Sequence, residues 1–288
     1  MLLKDFLPDV TLRDLVRCFR IVHFAFDKSD TIPVKVYPPK PENVLHFFIQ
    51  GRFIVERGIN NLDYQPPVLL VGQRTKVTRQ LTDPVFLNFQ IVFQPAAIFR
   101  MTGLPGSELF DKFINAEHIF GQDIRYIHEQ LCAARSYEEM ISIGEDFIRH
   151  LIRHASMDPH LIDTVASLIA QTNGSISLDW LAKQSCLCTK QFDRKFYQRT
   201  GVNPKTYLRI TRFNKAFNIK NRYPNMGWLS IADKCGYYDY QHLVRDYKEF
   251  TAVTPTAFHL LEARSPEKIL GLADELYRLR CKKGDVDL

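Results

Sequence analysis

The sequence has no long apolar run, because Lys, Arg, Asp or Glu interrupts every stretch that approaches the roughly 18 to 20 residues of a membrane-spanning helix. The first residues do not fit a signal peptide either, since Lys4, Asp5 and Asp9 break the apolar stretch that such a peptide needs. Low-complexity tracts, which would indicate extended disorder, are missing as well. We therefore expect a folded, cytoplasmic protein without a membrane partner.

Cysteine is scarce, with six residues among 288. In a chain without a secretion signal, such cysteines are expected to be reduced thiols and not a disulfide framework. Cys186 and Cys188 form a C-x-C pair, the arrangement that most invites a metal ion. Because no second pair with zinc-ligand spacing follows it, we expect no metal site and no cofactor.

The length predicts two domains, because 288 residues exceed what one hydrophobic core usually organises. We expect the boundary at Met157-Asp158-Pro159, where Asp158 and Pro159 have the form of a helix N-cap and a first-turn proline. This divides the chain into residues 1–156 and 157–288.

The net charge of +6 belongs to the second domain. Residues 1–157 hold 18 Lys and Arg against 18 Asp and Glu, whereas residues 158–288 hold 20 against 14. A basic C-terminal domain suggests a polyanion as its partner. The alternative, which charge alone does not exclude, is a solvated basic face.

The first hundred residues read as mostly β-structure. Short runs rich in Val, Phe and Thr predict strands, and prolines punctuate them at loops or edges. A small antiparallel barrel or sandwich is the natural packing. The predicted strand regions are Val44–Glu56 (two strands joined near Gln50-Gly51), Val68–Gly72, Lys76–Leu81 and Val85–Phe93.

After Gln94-Pro95 the apolar spacing becomes helical. The predicted helices are Ser107–Ala116, Asp123–Ala133, Tyr137–His154, one opened by Asp158, and a last one from Ser265-Pro266 to about Cys281. The long helix Tyr137–His154 is amphipathic and must cover something. Either it covers the barrel, or it pairs with its copy in a homodimer.

Two segments of the C-terminal half repeat each other. Phe192 to Phe196 (FDRKF) corresponds to Leu243 to Tyr247 (LVRDY), 51 residues later. This regularity indicates a duplicated unit, in too few copies for a solenoid. Further pairs at an offset of 50 or 51 are Leu181-Ala182 with Ile231-Ala232, Thr200 with Thr251, Gly201 with Ala252, Pro204 with Pro255 and Tyr207 with Phe258.

Each copy has the anatomy of a helix-turn-helix, with a small residue in a short first helix, a tight turn, and a second helix with an exposed face. In the second copy Gly236 suits the turn and Asp239 suits the N-cap. In the first copy Cys186 and Cys188 stand at those positions and suit them less well. Between the copies, Asn203-Pro204 opens a helix of about 25 Å, which would hold two recognition helices near the roughly 34 Å separation of successive major-groove faces.

The second helix of each copy carries candidate base-reading residues on its outward face, because the apolar residues at i and i+4 face inward. Arg can bridge guanine O6 and N7, Gln can pair with adenine, and Val can pack on a thymine methyl. The alternative role of either arginine is packing or a surface salt bridge, and Asp193 either accepts from cytosine or orients its neighbour. The candidates are Lys190, Gln191, Asp193, Arg194, Tyr240, Gln241, Val244 and Arg245.

Candidate phosphate contacts lie on or near the same helices and the connecting helix. Such contacts position a protein on DNA without reading its sequence. They are Lys195, Arg199, Arg209, Arg212, Lys215, Lys220 and Lys248.

The pattern from His160 to Leu260 resembles the two-part signature of AraC/XylS-type regulators. Tyr237 and Tyr247 stand where phenylalanine is usual, and each buried hydroxyl would need a partner. The resemblance implies double-stranded DNA and RNA polymerase as partners. It also implies an α+β protein, with an N-terminal cupin-like β-barrel and flanking helices, and a C-terminal all-α domain of two helix-turn-helix units joined by a linker helix.

Barrels of this type commonly bind a small-molecule effector or mediate dimerisation. Strand alternation suggests five candidates for an effector pocket, namely His46, Arg52, Arg74, Gln90 and Phe93. Metal-binding cupins use several histidines and a carboxylate, whereas His46 stands alone with Glu56 as the only nearby acid.

The leading hypothesis is therefore a transcription regulator without enzymatic activity. The alternative is an enzyme, either a cupin-fold catalyst or a DNA-repair methyl acceptor fused to a DNA-binding adapter. Methyl acceptors hold their nucleophile in a four-cysteine zinc cluster ahead of the helical domain, whereas only Cys18 and Cys132 precede it here. A protein-interaction adaptor is a third interpretation, and it predicts no salt-dependent DNA binding.

Overall fold

The computed structural model describes residues 1–27, 32–58, 61–155, 157–172 and 176–273. The N-terminal part contains two antiparallel sheets and the C-terminal part is helical, which confirms the predicted α+β class. The larger sheet has the strand order β1-β2-β9-β4-β7-β10 and the smaller one β3-β8-β5-β6. The strands are β1 (Leu2–Phe6), β2 (Val16–Ala25), β3 (Lys35–Tyr37), β4 (Val44–Gln50), β5 (Phe53–Glu56), β6 (Leu62–Tyr64), β7 (Val68–Val71), β8 (Thr78–Thr82), β9 (Val85–Phe93) and β10 (Phe113–Asn115).

The two faces of the larger sheet belong to two different apolar clusters. Phe19 and Phe89 belong to the cluster that the N-terminal helices cover. Phe24 and Phe86, on the same two strands, belong to a cluster that also includes Phe53 of the smaller sheet. Because successive side chains of a strand point to opposite faces, β2 and β9 supply both layers. The interior of the barrel is therefore the layer between the two sheets.

Five helices follow β9 or lie between the later strands. The longest, α5, turns Met140, Phe147 and Ile148 toward the outer face of the barrel. A Cβ at Gly144 would lie 2.8 Å from Cζ of Phe89, so only glycine allows this close approach. Of the two predicted roles of this helix, the structure shows that it covers the barrel. The helices are α1 (Ala97–Thr102), α2 (Gly106–Leu109), α3 (Glu117–Phe120), α4 (Asp123–Ala133) and α5 (Tyr137–Arg153).

The C-terminal helices form two cores that share one long helix. Tyr207 and Leu208, near the start of α9, belong to the first core, while Phe213 and Phe217 belong to the second. With 19 residues, α9 is about 28 Å long and joins the two cores as a rod. The helices are α6 (Leu161–Gln171), α7 (Leu178–Gln184), α8 (Thr189–Thr200), α9 (Pro204–Arg222), α10 (Trp228–Lys234), α11 (Tyr240–Thr251), α12 (Pro255–Glu262) and α13 (Pro266–Ile269).

One prediction for the N-terminal region was wrong because tertiary pairing overrides the local pattern. The predicted helix Ser107–Ala116 is instead the single turn α2 followed by β10, which pairs with β7 at the edge of the larger sheet. The prediction of two strands joined near Gln50-Gly51 is confirmed, and these strands, β4 and β5, belong to different sheets.

Two predicted helix boundaries were also wrong. Helix α6 begins at Leu161 and not at Asp158, because His160 caps it: the His160 Nδ1 accepts from the Ile162 N–H at 3.1 Å. The helix expected from Ser265 to Cys281 ends at Ile269, and Gly271 follows with φ +68°. Residues 274–288 lie outside the described part of the chain. Among the described helices, none combines the length and the apolar character that crossing a bilayer requires.

Candidate DNA interface and effector pocket

The two sequence repeats fold into two units of the same anatomy. Helices α7 and α10 have seven residues each, and α8 and α11 have twelve each. Ala182 and Ala232 are buried at matching places, where small side chains let the first helix approach the second. The predicted pair of helix-turn-helix units is confirmed.

Both units use left-handed backbone at the same two positions. In the turn, Cys186 has φ 53° and Gly236 has φ 70°. At the end of the second helix, Gly201 has φ 84° and Ala252 has φ 64°. Because the left-handed region costs an L-residue roughly 1–2 kcal/mol, each unit contains one relaxed and one strained position.

The start of the second helix differs between the units. In α11 the Asp239 carboxylate accepts from the His242 N–H at 2.8 Å, which satisfies one of the unpaired amides of the first turn. In α8 Cys188 occupies the N-cap, and its side chain makes no capping hydrogen bond within the described residues. The first unit therefore begins its second helix without this stabilisation.

The second helices present opposite faces to the core and to solvent. Phe192 and Phe196 of α8, and Leu243 and Tyr247 of α11, are buried at i and i+4. The sequence-predicted base-reading residues lie on the other faces. Lys190, Gln191, Asp193, Arg194, Gln241 and Arg245 are exposed, and Tyr240 and Val244 are half-buried.

The two tyrosines that replace the usual phenylalanines behave differently. The Tyr237 hydroxyl donates to the Asp246 Oδ2 at 3.1 Å, and burial raises the pKa of Tyr237. The buried Tyr247 hydroxyl has no hydrogen-bond partner among the described residues, and burial raises its pKa as well. Each hydroxyl was expected to need a partner. Among the described residues, the Tyr237 hydroxyl has one and the Tyr247 hydroxyl does not.

Arg209, a predicted phosphate contact, is engaged inside the protein. Its Nη2 lies 2.8 Å from the Asp246 Oδ1, and its Nη1 lies 3.0 Å from the Glu249 Oε1. Hydrogen bonds to Glu249 and Asp246 raise the pKa of Arg209. This arginine therefore connects the linker helix α9 to α11.

Other predicted phosphate contacts are also engaged within the chain. Arg199 donates to both carboxylate oxygens of Asp163, at 2.7 and 2.8 Å. The Lys195 Nζ lies 3.0 Å from a ring nitrogen of His160, whereas Lys248 is exposed on α11. The remaining three donate to backbone carbonyls: Arg212 to Gly236, Lys215 to Lys234, and Lys220 to Pro224 and Met226.

The N-terminal domain contacts both helix-turn-helix units. At the first unit, Gly106 packs on Gly201 so tightly that a Cβ on Gly106 would lie 2.3 Å from the Gly201 nitrogen. At the second unit, the Val77 N–H donates to the Phe250 carbonyl at 2.8 Å. Lys35 of β3 adds a hydrogen-bonded ion pair with Glu262 at 2.9 Å. Both units are thus docked on the barrel.

A cavity of about 140 Å³ opens into the interior of the barrel. Apolar residues of both sheets, such as Phe24, Phe53 and Phe86, form part of its wall. Residues of the C-terminal half also line it, namely Phe217, Pro266 and Glu267. The cavity therefore extends from the barrel interior to the C-terminal helices.

The polar part of the cavity wall includes three side chains in cross-strand register on three adjacent strands. Arg20 of β2 pairs with Gln90 of β9, which pairs with His46 of β4. The buried Arg20 guanidinium also forms ion pairs with Asp5 and Glu42. Burial and the nearby Arg20 lower the pKa of His46 to about 3, so this imidazole is neutral at physiological pH.

Three polar atoms of the residues that line the cavity are buried without a hydrogen-bond partner among the described residues. They are the Asn88 Oδ1, the Thr82 Oγ1 and the Arg74 Nε, and the last of these lies 3.7 Å from the Asp111 Oδ1 in an ion pair. The Asn88 amide nitrogen is engaged, at 3.1 Å from the His46 Nδ1. Buried polar groups are usually paired, so the cavity wall offers unused hydrogen-bonding capacity.

Of the five candidates for an effector pocket, His46, Arg74 and Gln90 line the cavity. Arg52 does not, because it lies between β4 and β5 with its side chain 66% exposed and paired with Asp83. Phe93 lies in the core under the helices. Gln90 and Phe93 are three residues apart on one strand, so their side chains point to opposite faces.

Two residues that line the cavity, Arg20 and Lys35, were not predicted from the sequence. Arg20 lies in the middle of the apolar run of β2, and a charge inside such a run is a signal that it pairs with something buried. Lys35 lies on the three-residue strand β3, and its partners come more than 220 residues later in the sequence. Among the residues that the structure describes, no cluster of three or more His, Cys, Asp or Glu suits a metal ion.

The family model described as a helix-turn-helix domain matches residues 181–260. No curated protein is significantly similar to the chain. Among solved structures, ToxT from Vibrio cholerae is similar at 11% identity and a TM-score of 0.47, over 84% of this chain and 98% of that one. The DNA-binding domain of AdpA, in complex with a target DNA, has 18% identity and a TM-score of 0.34, over 36% and 95%. The AraC-like activator CuxR has 12% identity and a TM-score of 0.28, over 76% and 88%.

The match to the helix-turn-helix model spans both units and the linker helix between them. It coincides with the internal repeat, with the excess of positive charge, and with the exposed faces of α8 and α11. Residues 181–260 therefore form a helix-turn-helix domain, a type of domain that binds DNA.

Proposed function

We propose that the chain is a DNA-binding transcription regulator of the AraC/XylS type, that it reads its operator through α8 and α11, and that a small molecule in the barrel cavity controls it. On this proposal residues 1–156 are the effector domain and residues 157–288 the DNA-binding domain. The observation that carries the control is the composition of the cavity wall, in which Phe217, Pro266 and Glu267 stand beside residues of both sheets. An occupant would therefore touch both domains at once.

The proposed reading residues lie on the first turns of each second helix, and all of them except the half-buried Tyr240 and Val244 are exposed. Arg194 and Arg245 are the candidates for guanine, because a guanidinium can donate to O6 and N7 together. Gln191 and Gln241 are the candidates for adenine. The remaining members of the proposed set are Lys190, Asp193, Tyr240 and Val244.

Fewer residues are proposed as phosphate contacts than the sequence suggested. Lys248 is exposed on α11 and is the strongest candidate. Arg199 and Arg209 are held by carboxylates in short ion pairs, and breaking those pairs would leave Asp163 and Asp246 unbalanced. Neither arginine is therefore assigned to DNA.

The effector we propose is a small, largely apolar molecule with at least one polar group. Its apolar part suits the phenylalanines of the cavity wall, and its polar part suits the Asn88 Oδ1 and the Thr82 Oγ1, which have no hydrogen-bond partner among the described residues. Ligand pockets generally combine an apolar lining with a few polar groups that fix orientation. The proposal assigns no catalysis to the chain.

Three further elements come from the resemblance to AraC/XylS regulators. They are a contact with RNA polymerase, a homodimer, and a cytoplasmic location where the DNA is. Because α5 already covers the barrel with its apolar face, a dimer contact would have to use another surface.

The test is selection of bound sequences from a random duplex library, followed by binding measurements on the selected operator. Arg194→Ala and Arg245→Ala should each weaken binding to that operator by about 1–3 kcal/mol and relax the preference at one base pair. Arg135→Ala removes the same charge from an exposed site of the N-terminal domain and serves as the control. Equal discrimination by all three variants and the parent would refute the reading role.

A further inference from the structure

The chain does not end at the second helix-turn-helix unit but turns back onto the barrel. After α12 ends at Glu262, the short helix α13 leads to Leu270 and Leu272. Both leucines are half-buried against the barrel-interior cluster that contains Phe24, Phe53 and Phe86. These phenylalanines also line the cavity, and so do Pro266 and Glu267, so the segment Glu262–Leu272, here called the clasp, closes one side of it.

The clasp also brings carboxylates to the cavity. The Lys35 Nζ lies 2.9 and 3.1 Å from the two carboxylate oxygens of Glu262, and it contacts Glu267 as well. Glu267 is itself part of the cavity wall. The clasp therefore presents the same combination to the barrel that an amphipathic anion would present, namely apolar groups and a negative charge beside Lys35.

The described backbone of the clasp is hydrogen-bonded within itself. The N–H groups of Lys268 and Ile269 donate to the Ser265 carbonyl, both at 3.0 Å. The Leu272 N–H donates to the Glu267 carbonyl at 2.8 Å. The contacts of the clasp with the barrel described above are made by side chains. The clasp can therefore leave the barrel as one piece, and its short turns then lose the packing that holds them closed.

We propose that the clasp is a built-in competitor for the effector. A ligand with an apolar body and an anionic group takes the place of the two leucines and of Glu267, and the clasp leaves the cavity wall. Because the clasp continues directly from α12, its displacement loosens the second unit from the barrel. This inference rests on the proposed role of the cavity as the effector site.

The test uses 8-anilinonaphthalene-1-sulfonate as an amphipathic anionic probe, titrated by fluorescence into the full chain. Leu270→Ala/Leu272→Ala weakens the clasp and should lower the Kd of the probe about fivefold or more. Ile269→Ala is the matched control, because Ile269 lies in the same segment but is 57% exposed. The control should bind the probe as the parent does.

Two outcomes overturn the proposal in distinguishable ways. Saturable binding with one Kd in the parent, the control and the double variant refutes the clasp and leaves the cavity as a binding site. No saturable binding by any of them refutes the effector site itself, and the clasp with it.

Hydrogen exchange on the unmodified chain gives a second measurement that does not depend on the folding of a variant. Saturating probe should speed amide exchange at residues 268–272, whose N–H groups are hydrogen-bonded in the closed state. Unchanged or slower exchange of these amides in the presence of bound probe would contradict displacement.

Discussion

Replacement of Lys35 by methionine should separate the electrostatic role of the clasp from its apolar one. Lys35 is 13% exposed in its side chain and faces the fully buried carboxylate of Glu262. Methionine keeps much of the apolar stem and removes the ammonium. The variant therefore leaves Glu262 buried without the cation that it contacts in the parent.

The size of the effect follows from the burial of the pair. Removing one partner of a buried ion pair costs roughly 3–5 kcal/mol, because the other charge stays buried without compensation. Glu267 is 19% exposed and can be hydrated when Lys35 is gone. We therefore expect the lower end of that range, a loss of about 3 kcal/mol in the free energy of unfolding at pH 7.

The loss should depend on pH in a defined direction. Burial raises the pKa of Glu262 above its ordinary value of 4.5, and Lys35 opposes that rise. Without Lys35 the pKa of Glu262 rises further. Protonation of Glu262 therefore reduces the destabilisation of the variant as the pH falls through this pKa. Lys35 lowers the pKa of Glu267, although burial acts against it. That stabilisation of the parent is present above pH 4.5 and is lost as the pH falls through the lowered pKa. Both effects make the difference between parent and variant smaller in acid.

Urea unfolding at pH 7, pH 5 and pH 3.5 measures these differences, because the stabilisation from Glu267 is lost only below pH 4.5. Lys35→Met/Glu262→Gln removes the uncompensated charge and should recover more than half of the loss. Lys76→Met, at an exposed lysine of the same domain, should change the stability by less than about 0.5 kcal/mol. A loss at Lys35 no larger than that of the Lys76 control, or a loss that does not shrink in acid, would refute the reasoning.

Three other substitutions test separate features. Gly106→Ala should weaken the docking of the first unit by about 1–3 kcal/mol and speed hydrogen exchange in α2 and α8, whereas Gly227→Ala, where a Cβ meets nothing within 4 Å, should not. Cys186→Gly should stabilise the chain by about 0.5–1 kcal/mol in urea unfolding, because relief of left-handed strain exceeds the entropic cost of glycine; a loss of stability would contradict this. Arg209→Gln should destabilise the chain by about 2 kcal/mol and leave the salt dependence of DNA binding unchanged, and a flatter dependence would restore its phosphate role.

The fold of the C-terminal half could be predicted from the sequence because the pattern that determines it is local and repeated. The pairing of Gly201 with Ala252 and of Cys186 with Gly236 was visible as an offset, and the structure gives each pair the same left-handed backbone. Such positions are fixed by turn geometry within a few residues, so distant contacts do not decide them. The exposed and buried faces of α8 follow from helical spacing in the same way.

The cavity was harder to predict from the sequence because its residues come from distant parts of the chain. Strict alternation would have placed Gln90 and Phe93 on opposite faces of the strand, because side chains an odd number of positions apart point in opposite directions. No local pattern, however, predicts that Lys35 meets Glu262 or that Gly106 meets Gly201. These contacts depend on how the domains dock, and the sequence of either domain alone does not encode that.

Each second helix contacts the barrel at or near its C-terminal end. The proposed reading residues lie near its N-terminal end. Gly106 meets Gly201 just after the end of α8, and Val77 binds the Phe250 carbonyl near the end of α11. The proposed reading residues lie in the first half of each helix, and most of them are exposed while the barrel is docked. The barrel therefore leaves the reading faces open and instead fixes how the two units are held. Since the clasp belongs to the contact with the second unit alone, we expect an effector to change the angle between the two units and leave access to DNA unchanged.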